Sequence, residues 1–164
     1  MSSAIDELLD NAAAYEARFP GPRATIPARH VTVVTCMDSR IDPFAIFGLK
    51  TGEAHILRNA GGLATEDVLR SLVLSQRLLM TREILLMQHT RCGLHGADEA
   101  ALRRKIVAET REEPPYEFGA FEDIDRSVRE TVATVRAHRF LPHRDRVRGF
   151  VYDVDTGRVR EVTD

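Results

Sequence analysis

Apolar residues follow two patterns along this chain: short β-branched runs, and segments with an apolar residue at every third or fourth position. Three of the runs predict buried strands, at residues 30–35, 53–58 and 83–88. Two further runs, 147–154 and 158–162, flank the turn sequence Asp155-Thr156-Gly157. This arrangement predicts a hairpin near the end of the chain.

Helical spacing dominates between and around these runs. It predicts helices at residues 5–15, from Asp42 to Phe47, from Thr65 to Leu79, at 96–109 and at 121–135. Asp42 is predicted to be an N-cap with Pro43 at the first helical position, and Thr65 is predicted to cap the next helix. Strands that alternate with helices predict an α/β domain: a mainly parallel β-sheet flanked by helices, with a C-terminal β-hairpin.

The length of 164 residues fits one domain, and the chain shows no internal repeat or dividing linker. Residues 1–29 are expected to form an amphipathic helix followed by an arm rich in helix breakers (FPGPRATIP). Hydrophobic residues make up 43% of the chain, and the 23 basic and 25 acidic residues leave a net charge of −2. This balance argues against nucleic-acid binding through bulk positive charge.

The first twenty residues lack the basic start and continuous apolar stretch of a signal peptide. No segment approaches the roughly 20 apolar residues that a membrane span needs. A cytoplasmic location is therefore expected, where thiols stay reduced. A disulfide between the chain's two cysteines, Cys36 and Cys92, is accordingly disfavoured.

Two clusters of reactive side chains leave the ends of predicted strands. Cys36 to Arg40 follows the first strand, and His89 to Cys92 follows the third. Ligand sites of open α/β sheets lie beyond the carboxyl ends of the strands. The fold therefore predicts that these clusters meet, although about fifty residues separate them in sequence.

The combined cluster offers two thiolates and one imidazole, a ligand set suited to zinc. Three protein ligands leave the fourth position to water, as in catalytic sites, whereas a fourth protein ligand closes the site. Asp38 could be that fourth ligand in a closed state. Paired with Arg40 instead, it stays ionised and can accept a proton from zinc-bound water, whose pKa falls to roughly 7.

Simpler interpretations exist for each residue taken alone. A buried Cys is often a small hydrophobe, a lone His a core residue, and Asp-x-Arg a surface ion pair of little energetic value. A cysteine phosphatase loop is excluded, because the required Arg positions hold Asp42 and Asp98. Cys-x-x-Cys and dinucleotide-binding fingerprints are absent from the sequence.

Cys36-x-Asp38-x-Arg40 together with His89-x-x-Cys92-Gly93 resembles the signature of the β-class carbonic anhydrases. The stretch Arg58-Asn59-Ala60-Gly61 extends the similarity, which is greatest to a compact bacterial branch. The resemblance implies a Zn²⁺ ion bound by Cys36, His89 and Cys92, with Asp38 and Arg40 as a catalytic dyad. It also implies reversible hydration of carbon dioxide to bicarbonate and a proton through zinc-bound hydroxide.

The resemblance further implies a homodimer or homotetramer acting on a small-molecule substrate, with the N-terminal helix embracing a partner subunit. A helix packed on its own domain is the alternative for residues 1–29. The branch includes relatives that hydrolyse carbonyl sulfide or carbon disulfide, so these remain alternative substrates. A non-catalytic, zinc-stabilised binding protein is a third possibility.

Two sequence features depart from many family members. The glutamine that many members carry upstream of the first Cys is absent, since the only glutamines are Gln76 and Gln88. Gly93 is followed by Leu94 rather than by a second glycine. His55 and His95 are the nearest candidates for proton export, and each is expected to be a surface or packing residue.

Overall fold

Five strands form a single sheet in the computed structural model, which describes residues 3–163. They are β1 (Val31–Cys36), β2 (Ala54–Asn59), β3 (Glu83–His89), β4 (Val147–Tyr152) and β5 (Val159–Val162). The spatial order is β2-β1-β3-β4-β5, with the first four strands parallel and β5 antiparallel to β4. The predicted α/β fold with its C-terminal hairpin is confirmed.

The helices are α1 (Ala4–Glu16), α2 (Pro43–Phe47), α3 (Glu66–Arg77), α4 (Glu99–Thr110) and α5 (Ile124–Ala137). Asp42 caps α2 as predicted, because its carboxylate accepts hydrogen bonds from the backbone N–H groups of Phe44 and Ala45. The predicted N-cap position of Thr65 is confirmed, but its side chain does not make the expected capping hydrogen bond. Its hydroxyl instead accepts a hydrogen bond from Asn59 at 3.2 Å.

Three helix boundaries also differ from the prediction. Helix α3 ends at Arg77, so Leu79 lies beyond it. Helix α4 begins only at Glu99, since the Asp98 side chain caps it there by accepting from the N–H of Ala101. Phe121 precedes α5 and packs elsewhere.

The larger core lies between the sheet and helices α3 and α5. Its fully buried members include Val34, Leu72, Leu86, Val128 and Val147. Helix α5 approaches β4 so closely that a Cβ on Gly149 would lie 2.4 Å from a methyl group of Val128. A smaller apolar cluster of Cys36, Ile41, Met87 and Cys92 lies at the carboxyl ends of the strands.

Helix α1 contrasts with the rest of the chain because every residue from 3 to 20 is exposed. A capping box formed by Ser3 and Asp6 supports its first turn. Its apolar residues Ile5, Leu8 and Leu9 are nevertheless 62–68% exposed. Among residues 3–163, none of the helices combines the length and apolar character that a membrane crossing requires.

Candidate metal centre

Cys36, His89 and Cys92 come together at the carboxyl end of the sheet. Strands β1 and β3 are adjacent and parallel. Cys36 at the end of β1 therefore lies close to His89 at the end of β3. The potential ligand atoms of the three residues all lie within 4.8 Å of one another. The side chains are buried, with Cys36 4%, His89 0% and Cys92 6% exposed. The predicted convergence of the two sequence clusters is therefore observed.

The orientation of His89 leaves one ring nitrogen ready to bind a cation. Its Nδ1 lies 2.9 Å from the carbonyl oxygen of Thr90, so an Nδ1–H group donates to that oxygen and the Nε2 lone pair is free. Nε2 is buried and has no hydrogen-bond partner among residues 3–163. An unpaired buried polar atom is costly, whereas a metal ion would satisfy it.

The two cysteines are free, and their thiols interact. A hydrogen bond from the Cys92 thiol lowers the pKa of Cys36, and the same interaction together with burial raises the pKa of Cys92. The backbone N–H of Gly61 also donates to Cys36 Sγ, at 3.3 Å. Two sulfurs and one imidazole nitrogen at these separations fit zinc–ligand bonds of about 2.0–2.3 Å.

Asp38 is paired with Arg40 in a two-pronged arrangement. Asp38 Oδ1 accepts hydrogen bonds from Arg40 N and Nε, both at 2.9 Å, and Oδ2 accepts one from Nη2 at 2.7 Å. These contacts hold the pKa of the Asp38 carboxyl well below its usual range. Oδ2 also lies 3.8 Å from Nε2 of His89, which places the carboxylate beside the candidate metal position.

Backbone geometry anchors this pair. Arg40 Nη2 donates a further hydrogen bond, at 3.0 Å, to the carbonyl oxygen of Arg91. Arg91 has a positive φ of 54° and forms an ion pair with Asp155 at 3.0 Å. The guanidinium of Arg40 thus connects the loop after β1 to the loop that follows His89 and carries Cys92.

Arg58 is a site residue to which the sequence analysis assigned no role. Its Nε donates to the carbonyl oxygen of Cys36 at 2.9 Å, and its Nη2 donates to that of Asp38 at 2.6 Å. One side chain from β2 therefore fixes the backbone on both sides of Met37. The available signals were its place near the carboxyl end of a strand paired with β1 and its place in the stretch Arg58-Asn59-Ala60-Gly61 that extends the resemblance.

Gly62, directly after the stretch Arg58-Asn59-Ala60-Gly61, has a specific structural role. Its φ of 64° lies in the left-handed region, and a Cβ there would lie 3.0 Å from the backbone nitrogen of Cys36. The chain can therefore pass close behind the strand end only with glycine at this position.

The two histidines considered for proton export lie in different places. His95 stacks on Phe121 with ring centroids 5.6 Å apart, and its Nε2 bonds to the carbonyl oxygen of Glu122 at 2.8 Å. His55 is paired in register with Thr32, so it lies toward the amino end of the sheet, far from Cys36 along β1. Gln88 contacts Thr131 of α5, and Gln76 contacts the backbone of His143.

Comparison with known proteins identifies the family. Residues 31–159 match the carbonic anhydrase family profile, which defines the class of the protein. The chain is 41% identical over 158 residues to β-carbonic anhydrase 1 of Mycobacterium tuberculosis, covering 96% of this chain and 97% of that protein. The chain therefore belongs to the β-class carbonic anhydrase family, whose members use zinc.

Two further comparisons bear on fold and substrate. The crystal structure of a carbonic anhydrase from Streptococcus mutans superposes with a TM-score of 0.91 and 39% identity, covering 99% of both chains. The chain is also 31% identical over 159 residues to a carbon disulfide hydrolase of Acidithiobacillus thiooxidans, covering 82% of this chain and 73% of that protein. The β-carbonic anhydrase fold thus extends over nearly all of the described residues.

Proposed function

We propose that this enzyme is a carbonate dehydratase that hydrates carbon dioxide reversibly to bicarbonate and a proton, with zinc held by Cys36, His89 and Cys92. One observation carries the proposal: the buried, unpartnered Nε2 of His89 lies beside two free thiols and 3.8 Å from the Asp38 carboxylate. The relatives from Mycobacterium tuberculosis and Streptococcus mutans are both carbonic anhydrases.

The three proposed ligands are prepared for zinc by their surroundings. The Thr90 carbonyl fixes the tautomer of His89 that presents Nε2. The hydrogen bonds received by Cys36 Sγ favour the thiolate form that binds metals. When bound, zinc supplies a Lewis acid that lowers the pKa of water from 15.7 to roughly 7.

Asp38 is proposed to accept a proton from the attacking water at Oδ2, the oxygen nearer to His89. Arg40 keeps the carboxylate ionised and, because it engages both oxygens, holds it away from the metal. Arg58 fixes the main chain of Cys36 and Asp38, so the ligand and the proton acceptor keep one relative position.

A second candidate is hydrolysis of carbon disulfide or carbonyl sulfide at the same site. The 31% identity to a carbon disulfide hydrolase favours it. All three substrates are linear molecules with a cumulated central carbon that water can attack. The metal ligands therefore do not distinguish them.

Stopped-flow hydration measured on zinc-loaded protein across pH, together with metal analysis, tests the main proposal. We expect one zinc ion per chain and rapid hydration of carbon dioxide. Sulfide release much faster than hydration would favour the second candidate. Bound zinc without turnover at any pH would instead indicate a closed site in which Asp38 is the fourth ligand.

We also propose that residues 1–29 pack on a partner subunit and that the protein is a homodimer or a homotetramer. The apolar residues Ile5, Leu8 and Leu9 of α1 are exposed on their own chain, and burying them would be favourable. An apolar groove between β2 and α3, lined by Phe44, Ile56, Leu74 and Leu79, offers a complementary surface.

Sedimentation of the double variant Leu8→Glu with Leu9→Glu tests this assembly. We expect a lower mass than for the wild type, since two charges would have to be buried. Asp10→Lys, on the opposite face of α1, is the matched control and should sediment as the wild type does. An unchanged mass for the double variant would contradict the role of α1.

We propose a cytoplasmic location for the enzyme. Zinc binding requires that the free thiols of Cys36 and Cys92 stay reduced, which that compartment ensures. Cell fractionation with an antibody against the protein would check the location.

A further inference from the structure

The side chain of Glu99 makes an unusual set of contacts for the first residue of a helix that has no fully buried residue. Its carboxylate accepts hydrogen bonds from three consecutive backbone N–H groups, of Phe118 at 2.9 Å, Gly119 at 3.1 Å and Ala120 at 3.2 Å. Arg103, one turn later, pairs with the same carboxylate at 3.2 Å. These backbone hydrogen bonds lower the pKa of Glu99 to about 2, so the group is ionised at neutral pH.

The segment held by Glu99 runs alongside the loop that follows Cys92. The N–H of Phe121 donates to the carbonyl oxygen of Leu94 at 3.1 Å, and the N–H of Gly96 donates to that of Phe121 at 2.8 Å. His95 adds its stacking on Phe121 and its bond to the Glu122 carbonyl. Residues 94–96 and 121–122 are therefore joined by both backbone and side-chain contacts.

This pair of segments forms one wall of the metal centre. Phe121 and Leu94 pack against the cluster that contains Cys36 and Cys92. A Cβ on Gly61 would lie 2.9 Å from a methyl group of Leu94, so Leu94 packs closely against Gly61. The backbone N–H of Gly61 in turn donates to Cys36 Sγ. The chain of contacts thus runs from Glu99 through residues 118–121 to the cluster that contains both cysteines.

We propose that Glu99 is a positioning residue of the metal centre: by fixing residues 118–120, it holds Phe121 and Leu94 against the apolar cluster that contains Cys36 and Cys92. The inference rests on the proposed function only in naming zinc as the ion. Glu99 itself touches neither the ligand atoms nor the Asp38 carboxylate, so its effect must pass through the two segments. Groups that hydrogen-bond to metal ligands typically change metal affinity or activity by about 10–100-fold when altered, and the lower end of that range is expected for Glu99 because it acts through intervening segments.

The test compares Glu99→Gln with Glu109→Gln, an exposed position in the last turn of the same helix. Zinc affinity is measured by competition with a chelator, and the thiolate-to-metal charge-transfer absorption is recorded on protein loaded with Co²⁺. We expect Glu99→Gln to bind zinc about tenfold more weakly and to show an altered cobalt spectrum. Glu109→Gln should match the wild type in both measurements.

A purely structural role for Glu99 would lower the melting temperature of the metal-free protein and leave zinc affinity and the cobalt spectrum unchanged. That result would overturn the inference. If Glu99→Gln does not fold, Glu99→Asp takes its place, since it keeps the charge on a side chain one methylene too short for all three N–H groups. If the wild type binds zinc but does not hydrate carbon dioxide, the proposed function fails while the affinity comparison still decides the role of Glu99.

Discussion

Two polar clusters lie at opposite ends of β1, and each contains a histidine. At the carboxyl end are Cys36, His89 and Cys92. At the amino end the Ser75 hydroxyl contacts three side chains: Thr32 at 2.8 Å, Thr81 at 2.7 Å and His55 Nδ1 at 2.7 Å. We call this second group the hydroxyl cluster.

The two clusters differ in whether their polar atoms satisfy one another. A hydroxyl both donates and accepts, so Ser75 can donate to His55 while accepting from Thr32 and Thr81. The carboxyl-end cluster leaves Nε2 of His89 without a partner in the described part of the chain. A buried histidine indicates a metal site when its neighbours cannot use its lone pair, and burial alone does not.

The largest expected effect comes from removing a thiol. Cys36→Ser should lose zinc and fall to the background rate of hydration, because a hydroxyl is a poor substitute for a thiolate ligand. Zinc content by mass spectrometry and stopped-flow assays measure both. Full zinc occupancy in this variant would remove Cys36 from the ligand set.

A smaller loss is expected at the proton acceptor. Asp38→Asn keeps the shape of the side chain but removes its charge, so kcat/KM should fall by about 10²-fold or more while zinc content stays the same. Asp67→Asn, which alters an exposed ion pair with Arg70 on α3, serves as the control. Normal turnover in Asp38→Asn would defeat the role proposed for this carboxylate.

The hydroxyl cluster should affect stability alone. Ser75→Ala leaves Thr32, Thr81 and His55 without their shared partner and should lower the free energy of unfolding by about 1–3 kcal/mol. Denaturant titration measures the loss, with Ser71→Ala on the same helix as the control. A loss of zinc in Ser75→Ala would show that the hydroxyl cluster also affects metal binding, contrary to this prediction.

The smallest effect is a pH dependence at His55. Burial lowers its pKa from the ordinary 6.5, so the folded protein resists protonation there. The unfolded chain then binds more protons below pH 6.5, and stability falls as the pH drops from 6.5 toward the folded pKa. His55→Gln should lose less stability than the wild type across that interval, as followed by thermal melts. Parallel curves would show that His55 contributes nothing to the pH dependence.

Much of the carboxyl-end site was predictable, because short stretches of sequence determine where each strand ends and which ligand residue follows it. The β-branched run before Cys36 and the run before His89 determine where two strands end, and parallel strands end on the same side of the sheet. Asp42-Pro43 with Gly48 likewise bounds α2 without help from distant residues. Element type and ligand chemistry follow from such short patterns.

Contacts made through backbone atoms could not be predicted. Arg58 and Glu99 bind backbone carbonyl oxygens and N–H groups, which every residue except proline has. The sequence therefore does not show which residues these two side chains will contact. Thr65 lies at the N-cap of α3 but makes no capping hydrogen bond, for a related reason. Asn59, which follows Arg58 at the end of β2, competes for its hydroxyl.

The sequence by itself determined the α/β order of elements, the soft ligand set and the two options open to Asp38. Only the tertiary structure shows that Asp38 is paired with Arg40, because both carboxylate oxygens lie on Arg40 and Arg40 also donates to the Arg91 carbonyl. The physical reason is that a charged side chain takes its partner from whatever the fold places within about 3 Å, and that distance depends on segments far apart in the chain.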